Sequence, residues 1–190
     1  MLFVWVGAVL MTTGVVAATL GGDRLPGVCA GCHGEEGVSA GSATPTIAGT
    51  KTETFVQRMR DFKTGNRTAT LMDRIANGYT DDEIGRMGEY FSKRPFERAQ
   101  QPTDRAMAER GKHFAEQYCA SCHEEAGTVD DGRPGILAGQ WLSYLRFRLE
   151  DYRLGVDRIP KKMRLGIESI LHEAGVEGLE SVLQFYASQK

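Results

Sequence analysis

At 190 residues and 20.9 kDa the chain has room for one large domain or two small ones. Hydrophobic residues make up 41% and charged residues 25%, which excludes a mostly disordered chain, a collagen-like chain and a multi-span membrane protein. Lys and Arg number 23 against 25 Asp and Glu, a formal charge of −2 without the basic excess that holds nucleic acid, so no nucleic-acid partner is expected.

Residues 2–20 form an apolar run broken only by Thr12, Thr13 and Thr19. The small residues Val16, Ala17 and Ala18 suit a cleavage site, so residues 1–18 are expected to be a signal peptide. An uncleaved anchor is the alternative, because a run of this length can just span a bilayer. Either reading exports the rest of the chain, and the expected location is periplasmic.

The remainder reads as one unit written twice. Cys29-Ala30-Gly31-Cys32-His33 and Cys119-Ala120-Ser121-Cys122-His123 match at an offset of 90, as do Ala48-Gly49 with Ala138-Gly139, and Gly65 with Gly155. Asp61-Phe62 falls on Asp151-Tyr152 at the same offset, and Met72 falls on Met163 at 91. A repeat of this length implies duplicated domains, expected at residues 19–94 and 104–190. The polar, proline-bounded segment 95–103 is the expected linker. Phe55, Val56, Met59 and Phe62 have helical spacing, repeated by Leu142, Leu145, Leu149 and Tyr152. Thr80-Asp81-Asp82-Glu83 is a helix-start pattern ahead of Ile84, Met87 and Phe91, and residues 106–118 read as a helix entering the second cysteine motif. No long period-two alternation occurs, so the expected class is all-α.

Cys-x-x-Cys-His is the attachment sequence for c-type haem. Two thiols spaced by two residues on a short turn reach the two vinyl-derived positions of the porphyrin as thioethers. The following histidine turns its ring toward the iron. Cys29, Cys32, Cys119 and Cys122 are all consumed this way, with His33 and His123 as proximal ligands. A zinc site or a redox-active cysteine pair is the alternative for a single motif; two copies in an exported chain favour haem. A methionine thioether on the sixth position gives a closed, electron-transferring iron. Met163 is the one methionine after His123, and Met72 is its repeat partner, so these two are the expected sixth ligands. Met59 and Met87 fall on apolar core positions, and His113 and His172 read as surface or capping residues.

The first half, through Gly31-Cys32-His33-Gly34-Glu35, Ile47-Ala48-Gly49, Asp61-Phe62-Lys63-Thr64-Gly65-Asn66-Arg67 and Met72, resembles one domain of the two-domain dihaem cytochromes of the c4 type. The second half is similar to a narrower relative, the dihaem cytochrome subunit of flavocytochrome c sulfide dehydrogenase. The residues that carry this are Ile136-Leu137-Ala138-Gly139-Gln140-Trp141, Tyr144-Leu145, Lys161-Lys162-Met163 and Phe185-Tyr186-Ala187-Ser188-Gln189. The resemblance implies two tandem class I cytochrome c domains with two covalently bound haem c groups. It further implies a heterodimer with an FAD-containing sulfide dehydrogenase subunit, and a soluble acceptor such as a cytochrome c. Two departures stand out: Glu124-Glu125 replaces Gly-Glu after the second motif, and Arg158-Ile159-Pro160-Lys161 lacks the Asn66-Arg67 pattern.

Three functions compete. The chain is an electron-transfer subunit served by a sulfide-oxidising flavoprotein, or a stand-alone dihaem carrier to a terminal oxidase or reductase. The third reading is a dihaem enzyme such as a peroxidase or thiosulfate dehydrogenase, which requires an open iron. A repeat-matched methionine in each half argues against the third.

Overall fold

The computed structural model describes residues 25–130 and 135–190; the expected signal peptide lies outside them. Pro26 opens a 3-10 turn, Pro26–Cys29, that runs into α1 (Ala30–His33). Proline suits a helix start because its missing N–H would have no partner there. Helix α2 (Thr52–Thr64) buries Phe55 and Met59 and ends at Gly65, whose φ of 71° supplies the left-handed cap. After α3 (Met72–Asn77), helix α4 (Asp81–Ser92) starts on a reciprocal cap: Glu83 N donates to Thr80 Oγ1 and Thr80 N to Glu83 Oε2. Ile84, Met87 and Phe91 then fall on one buried face and close the first core over α2.

The second half opens with α5 (Arg105–Phe114), capped by Asp104 and extended by a π turn, Ala115–Cys119, into the second cysteine motif. A distorted turn, α6 (Glu124–Gly127), follows, then α7 (Leu142–Arg153) and α8 (Lys161–Ser188). Helix α8 breaks at Gly175, whose φ of 62° and ψ of −158° are not helical, so it is two helices end to end. The first carries Met163 as α3 carries Met72. The second packs on α5 so closely that a Cβ at Gly111 would lie 1.9 Å from Ser181 O. No strand occurs among the described residues.

The two halves share the backbone hydrogen bonds of the loop that follows each cysteine motif. Ile47 N and Ala48 N both donate to Gly37 O, as Leu137 N and Ala138 N do to Gly127 O. Gly49 N donates to Phe91 O at 2.9 Å and Gly139 N to Tyr186 O at 2.8 Å. The repeat read from sequence is thus a structural repeat, and the chain is all-α with two units of one design.

Side chains of the second half hold the backbone of the first. The Gln140 amide accepts from Thr46 N at 3.1 Å and donates to Thr46 O at 2.8 Å. Trp141 Nε1 donates to Ser39 O at 3.0 Å. The buried Asp130 carboxylate accepts from Lys51 N at 2.9 Å and Thr54 Oγ1 at 2.6 Å, capping α2 from across the interface. Residues of the expected linker lie on repeat-related glycines: a Cβ at Gly49 would meet Phe96 Cβ at 2.8 Å, and one at Gly139 would meet Arg98 Cγ at 2.3 Å.

Candidate functional site

In the first half α1 is one turn of helix, closed by Gly34 N donating to Ala30 O at 3.0 Å. The turn sets Cys29 half-buried against the first core, Cys32 at the surface and His33 inside. His33 Nδ1 donates to the Pro45 carbonyl at 2.8 Å. That bond fixes the tautomer and leaves the Nε2 lone pair as the group that can bind metal. Burial holds the His33 imidazole below its usual range, partly opposed by the Pro45 bond, so the neutral ring a ligand needs is favoured. Chain reversal after His33 depends on Gly34, with φ 77°, where a Cβ would lie 1.8 Å from Val38 O.

The second motif reaches a similar end by a different backbone. Cys122 N and His123 N both donate to Cys119 O, at 3.1 and 3.0 Å. Glu124 stands where Gly34 stands in the first half, and the positive φ of Gly34 is replaced by one at Glu125, 46°, while Ala126 at 57° repeats Glu36 at 55°. The His123 ring meets the Tyr186 ring edge-on with centroids 6.0 Å apart. Burial pushes the thiols of Cys29 and Cys119 up to about 11, with Tyr186 beside Cys119 opposing part of the rise there.

Met72 opens α3 and packs on the first core together with Cys29, so the structure brings those two residues to one cluster. Met163 lies half-buried in the first turn of α8, outside the second core that Cys119 joins. Met59 and Met87 are buried core residues, and His113 and His172 are exposed, as expected. Partners that the sequence did not single out are the Pro45 carbonyl, Asp130 and Asp157. Each acts from 12 to 89 residues away along the chain, and no spacing rule marks them.

These residues fit haem c. All four thiols are free rather than paired as disulfides, and each pair sits on a single turn. Exposed apolar side chains flank both sites: Val28, Leu71 and Ile75 near Cys29 and Met72, and Val156 and Leu165 near Met163 in sequence. Among the described residues no three His, Cys, Asp or Glu side chains converge as a zinc site requires. No described helix is long and apolar enough to cross a membrane.

The chain is 47% identical over 70 residues to the cytochrome subunit of sulfide dehydrogenase of Chlorobaculum tepidum, covering 37% of this chain and 63% of that protein. The match therefore spans less than two thirds of that relative. Cytochrome c4 of Thiocapsa roseopersicina is 27% identical over 176 residues, 86% of this chain and 90% of that one. Cytochrome c-554(548) of Halomonas halodenitrificans is 31% identical over 78 residues, 40% of this chain and 93% of that one. No family model matches. Among solved structures, reduced cytochrome c4 from Pseudomonas stutzeri superposes with a TM-score of 0.73 at 22% identity, covering 89% of this chain and 98% of that one. A thiosulfate dehydrogenase from Marichromatium purpuratum gives 0.72 at 22% identity, over 85% of this chain and 36% of that one.

Proposed function

We propose, for a chain that belongs to the c-type cytochromes in the two-domain c4 form, that it receives electrons from the flavin of a sulfide-oxidising partner and passes them to a soluble acceptor. Electron transfer by a dihaem cytochrome is the common function of these relatives. The partnership is the finer reading, and the observation that carries it is the 47% identity to a sulfide dehydrogenase cytochrome subunit.

Cys29 and Cys32, with Cys119 and Cys122, are the thiols that would hold one haem in each half. His33 Nε2 and the His123 ring would be the proximal ligands; Pro45 keeps the His33 ring turned, and burial keeps it neutral. Met72 and Met163 would supply the thioethers, which would raise the potential and keep sulfide off the iron. When bound, each haem supplies one reversible one-electron couple. Two such couples match a flavin, which takes an electron pair from sulfide and releases it singly. Sulfide chemistry therefore falls to an FAD-containing subunit in a heterodimer, on the periplasmic side of the membrane.

Native purification under mild conditions tests this. Mass spectrometry of the denatured chain should show the polypeptide plus two haem masses; one or none overturns the dihaem reading. Sulfide should reduce the haems in fractions where the chain travels with a flavoprotein, and should leave the isolated chain oxidised. Reduction by thiosulfate in place of sulfide would transfer the partnership to a thiosulfate dehydrogenase, 36% of whose chain this one also matches in fold. A flavin-free chain unresponsive to both in every fraction would be a stand-alone carrier.

A further inference from the structure

Segment 65–71 delivers Met72 to its site, and the second half grips it at two successive residues. Thr68 N and Thr68 Oγ1 both donate to Asp157 Oδ1, at 2.7 and 2.6 Å. The other oxygen of Asp157 accepts from Arg148 Nη2, and Arg148 Nη1 donates to Asp151 at 2.8 Å. Asp157 is 6% exposed, so its charge is solvated almost wholly by these donors. One residue before Thr68, Arg67 Nη2 donates to the Tyr144 hydroxyl at 3.3 Å, and its guanidinium lies 5.0 Å over the Phe62 ring. Arg67 N is tied within its own half, to Asp61 O at 3.0 Å.

The grip runs one way. The repeat equivalent of Thr68 is Arg158, which is exposed and precedes Met163 by five residues. Among the described residues its segment shows no matching bond to a first-half carboxylate. The anchor sits four residues ahead of Met72, and that short stretch contains no helix to hold itself in place. A loop without internal structure takes its conformation from what it is bonded to.

We propose that Asp157 is a positioning residue for Met72: through Thr68, and with Tyr144 on Arg67, the second half holds the first iron's sixth ligand in place. The proposal rests on Met72 being that ligand. Ligation in the first half is then a property of the assembled pair of domains and not of α3 alone.

The test uses the full-length haem-loaded chain carrying Met163→Ala, so that the remaining near-infrared thioether-to-iron band reports Met72 alone. Adding Met72→Ala must abolish that band; a band that survives overturns the ligand reading and this proposal with it. Thr68→Val, at an exposed position, removes the hydroxyl while keeping the shape. In this variant, and in Asp157→Asn, the band should be lost in urea before helical circular dichroism falls. The apparent equilibrium between ligated and released thioether should shift by roughly ten- to a hundredfold, the scale of one hydrogen bond to a charged group. Thr68→Ser, which keeps the hydroxyl, should restore the parent behaviour. If Met72→Ala removes the band but Thr68→Val leaves its midpoint unchanged, the ligand stands and the positioning role is overturned. Simultaneous loss of band and helix in both variants makes the contact a general stabiliser and also overturns it.

Discussion

The Pro45 carbonyl accepts a hydrogen bond from His33 Nδ1 at 2.8 Å, and the orientation of the first site's ring rests on that bond. A ring so held presents Nε2 without rotational freedom to whatever metal it would bind, and a thioether ligand would tune that metal's potential. Replacing Met163 with Ala should remove about half of the near-infrared thioether band and lower one of two potentials in a redox titration, since an open or water-bound iron lacks the thioether's stabilisation of the reduced state. An unchanged band would hand the position to another group. The cysteines and histidines proposed for both sites can be named from sequence because attachment chemistry demands fixed spacing. Pro45 cannot, because a backbone carbonyl can come from any residue and only the folded loop chooses it.

At the scale of elements, glycine records where backbones come close. Gly111 sits within α5, where alanine would ordinarily gain about 1 kcal/mol of helix propensity. Here the added Cβ would lie 1.9 Å from Ser181 O and 2.7 Å from Val182 N, main-chain atoms that no rotamer change can move aside. Overpacking costs about 1–3 kcal/mol and more against backbone, so Gly111→Ala should lose about 2 kcal/mol net, read as a lower urea midpoint. A neutral or stabilising result would mean that α5 and α8 slide apart freely. Helix α4 could be read from its capping box and apolar spacing, down to Ile84, Met87 and Phe91 at its core. The rerouted turn after His123 could be read only as a departure. Glu124 in the place of a glycine announces that the backbone must differ, without saying that Glu125 will take a left-handed conformation.

At the scale of the molecule the duplication was plain in sequence, but the surface joining its halves was not. Thr46 with Gln140, Thr54 with Asp130 and Thr68 with Asp157 are 94, 76 and 89 residues apart, and each pair is made of ordinary polar residues. Asp157 makes that surface sensitive to acid. Burial pushes its carboxyl up, but the Thr68 hydroxyl and amide and the Arg148 guanidinium outweigh burial and hold it below the usual carboxylate range. A depressed acid stabilises the folded state fully above its unfolded value of about 3.9, and loses that contribution as pH falls through the folded value. Between pH 7 and pH 5 the term should therefore stay constant, and it should fade below about pH 4. Asp157→Asn removes it. At pH 7 and pH 5 the variant should unfold at lower urea than the parent by the same margin, and at pH 3 the margin should narrow, because the parent is then losing the charge the variant never had. Urea midpoints followed by helical circular dichroism at the three pH values measure this. A margin that holds to pH 3 would show that Asp157 contributes through its shape and neutral hydrogen bonds and not through its charge beside Arg148.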